Sequence, residues 1–303
     1  MRIVFMGTPE FAVPSLDILV QNGYEVVGIV TATDKWGGRG GKQLIKSAVK
    51  KYGAEKRLPI LQPEKLKSPD FIESLKQLKA DLQIVVAFRM LPEIVWAMPP
   101  LGTFNLHGSL LPKYRGAAPI NWAIINGEKE TGVTTFFIQH QIDTGDVILQ
   151  EKMRIGENET AGEIHDSMMQ LGAQAVLKTV RMIEKGNIQL QKQDEAFASH
   201  APKLFHETCA INFNQSTQKV HDFVRGLSPH PAAWTTLDAK ELKIFRTLKI
   251  IEFHQFTPGQ FISDNRKWIK VATNDGFVQI LELQLEGKKR MDASAFLNGY
   301  KFS

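Results

Sequence analysis

Arg2-Ile-Val-Phe-Met-Gly7 is a short apolar run that stops at a glycine, and the amphipathic stretch 11–22 follows it. A contiguous apolar run suits a strand covered on both faces, and an amphipathic stretch suits a helix covered on one. Residues 24–31 and 81–87 repeat the strand pattern, with a helical stretch at 69–79 before the second of them. Strands alternating with helices predict a parallel α/β sheet with helices on both faces. Any ligand crevice is then expected at the carboxyl ends of the strands.

Thr103-Phe-Asn-Leu-His107 reads as a strand that brings polar residues to that edge, with residues 108–112 turning away. Asn105 and His107 are two residues apart, so an extended backbone sends both side chains to one face. An amide NH₂ and an imidazole placed this way can donate to an oxyanion, which suits acyl transfer through a tetrahedral intermediate. The β-rich run 131–139 ends just before Asp143-Thr-Gly145-Asp146, so a second strand end can supply a carboxylate.

Each residue also has a plainer reading. A lone histidine is more often a packing residue, and Asp143 suits a tight turn as well as it suits orienting an imidazole or relaying a proton. Ser109 lacks the glycine pattern of a hydrolase elbow, so ligand contact or turn formation fits it better than nucleophilic attack. Arg115 suits an internal ion pair more readily than anion binding. The first turn, Gly7-Thr-Pro-Glu, has neither the three glycines of a dinucleotide site nor a P-loop lysine, which disfavours nicotinamide and ATP. Cys209 is the only cysteine and the histidines have no metal spacing, so neither a disulfide nor a bound metal is expected.

Residues 161–184 form a long helical pattern, and 188–205 turn polar in the manner of a linker. Beyond it come a helix at 217–226 and short strands at 234–237, 243–253, 268–273 and 277–285, the pattern of a small β-barrel. The expected division is a domain at 1–187, a linker at 188–205 and a smaller β-barrel domain at 206–303.

The chain has 303 residues and a formal charge of +5, with its basic residues unevenly placed. Lys35, Arg39, Lys42, Lys46, Lys50, Lys51, Lys56 and Arg57 share their stretch with one acid, Glu55. Such a run attracts phosphates, or it is simply a solvated surface. No apolar run has the roughly 20 residues of a membrane helix, and the opening is too quickly polar for a signal peptide. A cytoplasmic protein with no membrane partner is expected.

The run from Asn105 to Pro119, with the later Asp143-Thr-Gly145, resembles the folate-dependent formyltransferases. The likeness extends from Met6-Gly-Thr-Pro-Glu-Phe-Ala-Val-Pro14 to Val271-Ala-Thr-Asn-Asp-Gly276, nearly the whole chain. It implies a Rossmann-like formyltransferase sheet followed by an OB-like β-barrel. It also implies that 10-formyltetrahydrofolate, as co-substrate, gives its formyl group to the α-amino group of methionyl initiator tRNA in a monomeric, metal-free enzyme. By the same resemblance Asn105, His107 and Asp143 are catalytic. Phe88, Arg89, Met90 and Leu91, with Ser109, Leu110, Leu111 and Pro112, line the folate, and Arg39 and Lys42 meet the tRNA. A sugar-nucleotide formyltransferase would share the trio, and Asn121-Trp122 would suit that branch as well.

Overall fold

The computed structural model describes residues 1–37 and 43–302. They fall into two compact units. The first comprises Met1–Arg115, Gly132–Met153 and Asp166–His200; the second comprises Gly116–Thr131, Arg154–His165 and the chain from Ala201 onward.

The first unit is built on strands β1 (Arg2–Gly7), β2 (Glu25–Val30), β3 (Ile60–Leu61), β4 (Leu82–Val86), β5 (Thr103–His107), β6 (Glu130–Phe137) and β7 (Val147–Arg154). They form one sheet in the order β7-β6-β5-β4-β1-β2-β3. The pairs from β3 to β5 are parallel, as the alternating pattern predicts, but β6 runs antiparallel to β5. The sheet is therefore Rossmann-like on one side and mixed on the other. Antiparallel addition is possible there because a strand can reach that edge without the right-handed crossover helix a parallel strand needs.

Both faces of the sheet are covered. Val4, Met6 and Val85 pack with Phe71, Ile72 and Leu75 of α3 (Pro69–Gln77), after α1 (Val13–Gln21) and α2 (Ala48–Glu55) in the chain. On the other face, Gly53 of α2 lies against Ile29, and Gly172 of the long α5 (Ala161–Glu184) lies against Leu106; α4 (Pro119–Ile125) belongs to the second unit. A side chain at Gly172 would meet Leu106 Cδ2 at 2.8 Å, so glycine lets this helix seat closely under β5. Gly7 has a similar packing role at the first turn, where an added Cβ would lie 2.8 Å from Ala12 Cβ. Ser47 caps α2 by accepting from Lys50 N–H at 3.0 Å, a bond worth about 1 kcal/mol.

In the second unit, β8 (Ala233–Leu237), β9 (Lys240–Ile251), β10 (Phe261–Ser263), β11 (Ile269–Ala272) and β12 (Gly276–Leu285) follow the order β8-β9-β12-β11-β10. The short β13 (Met291–Asp292) pairs with β12, and the paired strands are antiparallel. Register shifts around Arg246 mark bulges that bend β9, so the sheet curls into a half-barrel. Its core of Ile244, Val271, Val278 and Ile280 is filled by Val220, Val224 and Leu227 of α6 (Thr217–Leu227) and Phe296 of α7 (Ala293–Leu297). In the same unit Thr160 and Glu163 form a reciprocal capping box at the start of α5, with bonds of 2.8 and 3.3 Å. Among the described residues, no helix is long and apolar enough to cross a membrane.

Candidate active site

The alternation of β5 sets up the site. Leu106 is turned toward α5, so Asn105 and His107 emerge together on the opposite face at the carboxyl end of the strand. Asn105 is half-buried, and its carboxamide has no hydrogen-bond partner among the described residues. His107 is 6% exposed, and its Nε2–H donates to the carbonyl oxygen of Tyr114 at 2.8 Å. A carbonyl can only accept, which assigns a proton to Nε2 and leaves Nδ1 facing Asp143. Nδ1 lies 3.7 Å from Oδ2 of Asp143, an ion-pair separation once the ring is protonated and too long for a neutral hydrogen bond.

Local backbone shape places both partners of the histidine. Tyr114 has φ 61° and Asp143 has φ 57°, both in the left-handed region that non-glycine residues seldom occupy. The N–H of Tyr114 donates to Ser199 Oγ at 2.9 Å, which supports that conformation. Beyond Asp143, a side chain on Gly145 would sit 1.6 Å from the carbonyl oxygen of Phe137. Glycine is thus required for the loop to lie against the end of β6, where Phe137 N–H donates to the Asp146 carbonyl at 3.1 Å. Gln193 Nε2 donates to the carbonyls of both Asp143 and Gly145 at 2.8 Å.

The segment after His107 is wired to β6 through one hydroxyl. Thr134 Oγ1 donates to the Ser109 carbonyl at 2.7 Å and accepts from Leu111 N–H at 3.1 Å and Gln150 Nε2 at 3.0 Å. Ser109 is fully buried and its own hydroxyl donates to the Lys113 carbonyl at 2.6 Å, so its side chain is committed to the turn. Leu111 is buried too, whereas Leu110 and Pro112 are half-buried.

The stretch carrying Phe88, Arg89, Met90 and Leu91 follows β4. Leu91 belongs to the core cluster around α3, and Arg89 donates to the carbonyls of Pro63 and Glu64. Met90 is 71% exposed, and the backbone groups of residues 88–90 make no backbone hydrogen bond among the described residues. Those groups are open to a ligand with its own donors and acceptors. Arg39 and Lys42 lie outside the described residues. Of the basic run, Lys50 is committed internally: it donates to Asp34 at 2.6 Å, and with Gln62 holds that carboxyl below its ordinary value.

Three contributors were not apparent from the sequence: the Tyr114 carbonyl, Thr134 with Gln150, and Gln193. Arg115 forms the internal ion pair expected of it, with Glu195 at 2.8 Å. Asn121 and Trp122 use their side-chain donors on the carbonyls of Gly226 and Pro202, 2.7 and 2.8 Å away. Two histidines of the second unit have structural partners. His221 is buried between Thr247 and the Glu157 carbonyl, and burial pushes its pKa down; His206 stacks on Trp234 at 4.7 Å.

A Rossmann-like sheet with an amide, an imidazole and a carboxylate at one strand edge defines a group-transfer enzyme of the formyltransferase kind. Residues 1–180 match the formyl transferase family, residues 203–301 match the formyl transferase C-terminal domain, and the chain belongs to that family. It is 54% identical to the methionyl-tRNA formyltransferase of Bacteroides thetaiotaomicron, over 100% of this chain and 97% of the relative. It is 52% identical to the methionyl-tRNA formyltransferase of Flavobacterium johnsoniae, with the same coverage of each chain. Among solved structures, a sugar 3N-formyl transferase crystallised with dTDP and 5-N-formyl-THF shares the fold at a TM-score of 0.68. Its identity is 22%, over 95% of this chain and 99% of that one. HypX from Aquifex aeolicus in complex with tetrahydrofolic acid gives a TM-score of 0.67 at 20% identity, over 98% of this chain and 47% of that one.

Proposed function

We propose that this chain transfers the formyl group of 10-formyltetrahydrofolate to the α-amino group of methionine on initiator tRNA, supplying formylmethionine for translation initiation. The observation that carries the reading is the His107–Asp143 pair, 3.7 Å apart, on the same edge as the Asn105 carboxamide, which has no partner among the described residues. Whole-length identity to relatives named for this reaction supports the choice of acceptor.

The amine nitrogen attacks the formyl carbon, a C–N bond forms, and the carbonyl electron pair moves onto oxygen. Asn105 binds that oxygen through its NH₂. His107, protonated at both nitrogens, donates from Nδ1 to the oxyanion while Nε2 stays on the Tyr114 carbonyl. Asp143 holds the imidazolium charge and assists removal of the ammonium proton. That proton passes through the Asp143 carboxylate to N10 of the folate, and the intermediate collapses as the C–N10 bond breaks and the oxygen's electron pair re-forms the carbonyl. A single protein chain supplies every group, and no step calls for a metal ion.

The exposed backbone of residues 88–90 reads the pterin, with Phe88, Arg89, Met90 and Leu91 shaping that loop. Ser109, Leu110, Leu111 and Pro112 form the opposite wall, with Ser109 and Leu111 acting from the buried side. Residues 1–187 act as the catalytic domain, 188–205 as linker and 206–303 as the tRNA-binding domain. Arg39 and Lys42 meet the acceptor end of the tRNA.

The test is formylation of charged initiator tRNA with the folate donor, run beside elongator methionyl-tRNA and a nucleotide-linked amino sugar. Formylation of initiator tRNA alone supports the reading. Activity confined to the amino sugar would replace the acceptor.

A further inference from the structure

We infer that Gln193 is a positioning residue that holds the Asp143 carboxylate at His107 from outside the loop, as the centre of a strap formed by residues 191–199. The inference rests on the catalytic reading of the His107–Asp143 pair.

The strap is stitched to the first unit at three places. Gln191 exchanges backbone hydrogen bonds with Val147, at 2.8 and 3.0 Å, immediately after the Asp143 loop. Gln193 comes next, and both ends of its amide are used. Its nitrogen donates to the Asp143 and Gly145 carbonyls, and its oxygen accepts from Arg115 Nε at 3.1 Å and a terminal nitrogen at 2.8 Å. At the far end, Ser199 accepts from the N–H groups of Tyr114 and Arg115, each at 2.9 Å.

Arg115 anchors the strap. It is 7% exposed, and besides Gln193 it forks onto both carboxylate oxygens of Glu195 at 2.9 and 2.8 Å. The guanidinium holds the Glu195 carboxyl below its ordinary value, so the fork stays intact until the pH falls through the carboxylate range. Tyr114 and Arg115 are consecutive, so one dipeptide controls both partners of the histidine. The Tyr114 carbonyl receives Nε2–H, while the Arg115 side chain fixes the glutamine that bonds Asp143 and Gly145. A residue's carbonyl and its side chain share one Cα, so anchoring the Asp143 carbonyl limits how far its carboxylate can swing from Nδ1.

Composition agrees with this role. Within residues 190–197 Gln193 alone is withdrawn from solvent, while its neighbours are exposed. Only an uncharged amide offers donors to two carbonyls and an acceptor to a guanidinium together.

The deciding variant is Gln193→Glu, which keeps the shape and the acceptor for Arg115 but removes both donors to the loop. Gln193→Ala is its companion, and Gln191→Ala, whose strap contacts are through the backbone, is the control. Displacement of a reacting group by about 1 Å can cost roughly 100-fold in rate. Gln193→Glu is therefore expected to lower kcat by about 10- to 100-fold, with both substrate KM values held within about twofold. Hydrogen exchange in the peptide spanning residues 138–147 should quicken by about fivefold or more, without a general change elsewhere. Gln191→Ala should match the wild type in both measurements.

An unchanged kcat, an unchanged exchange rate in that peptide, or a uniform rise in exchange across the molecule would overturn the inference. If the wild type formylated no tRNA, the proposed function would fall, yet the exchange measurement would still decide whether Gln193 holds the loop.

Discussion

His107 Nε2 and the carbonyl oxygen of Tyr114 are hydrogen-bonded at 2.8 Å, across a turn of seven residues. On the proposed mechanism the bond keeps one ring nitrogen out of the chemistry and leaves the other to Asp143 and the reacting group. Replacing His107 by Ala or Gln is expected to lower kcat by about 100-fold or more, with a much smaller effect on the donor KM. Steady-state formylation with each substrate varied in turn measures both; a loss under tenfold would count against the role.

Asn105 offers a cleaner case because its carboxamide has no hydrogen bond to lose among the described residues. Asn105→Ala should leave the melting temperature nearly unchanged while kcat falls by about 100-fold. Asn105→Asp should be at least as slow, since a carboxylate would repel the developing oxyanion. The two rates and two melts together separate a chemical from a packing role.

Gly145→Ala forces a Cβ into the Phe137 carbonyl, where the ideal position is only 1.6 Å from the oxygen. The loop must move away from β6, at an expected cost of about 1–3 kcal/mol in stability. Denaturant unfolding measures the first effect, and the accompanying fall in kcat reports the displacement of Asp143.

Much of the architecture was legible because periodicity reports burial. Apart from Arg2 and Gln83, β1 and β4 are apolar, and they lie inside the sheet between helices on both faces. β7 was harder to find: its sequence, Val-Ile-Leu-Gln-Glu-Lys-Met-Arg, grows polar toward Arg154 because the strand sits at the sheet's edge. The direction of β6 was also hidden, since a strand's own sequence says little about whether its neighbour runs parallel. In the site, Asn105 and His107 could be placed on one face from their spacing alone. Tyr114 could not be recognised, because it acts through a carbonyl that every residue possesses. Gln193 sits in a stretch so polar that it reads as a linker, although its amide is bonded at both ends.

Asp275 provides a test in the other unit. Its Oδ1 accepts from the N–H and hydroxyl of Thr217 at the start of α6, at 2.7 and 2.8 Å, and the N–H bond above all holds the carboxyl below its ordinary value. A depressed carboxylate contributes stability that is present above about pH 4 and lost as the pH falls through its native value. Asp275→Asn should therefore be less stable than the wild type at neutral pH, with the gap closing in acid. Unfolding midpoints across pH 7 to about 3 give the comparison.

Association with initiator tRNA should weaken steeply as salt rises, because phosphate contacts release counterions. Neutralising Arg39 and Lys42 together should flatten that slope by about two and raise the tRNA KM while sparing the folate KM. Equal changes in both KM values would remove these residues from the tRNA contact.

The strap also bears on the order of synthesis. Asn105, His107 and Asp143 have all been polymerised by the time the ribosome reaches Glu184, the last residue of α5. Gln193, Glu195 and Ser199 come later, and until they are added the loop holding Asp143 lacks the bonds that the strap supplies. A chain stopped after that helix would carry Asn105, His107 and Asp143 yet lack the fastening of the last, which is added only when nearly two thirds of the 303 residues have been joined.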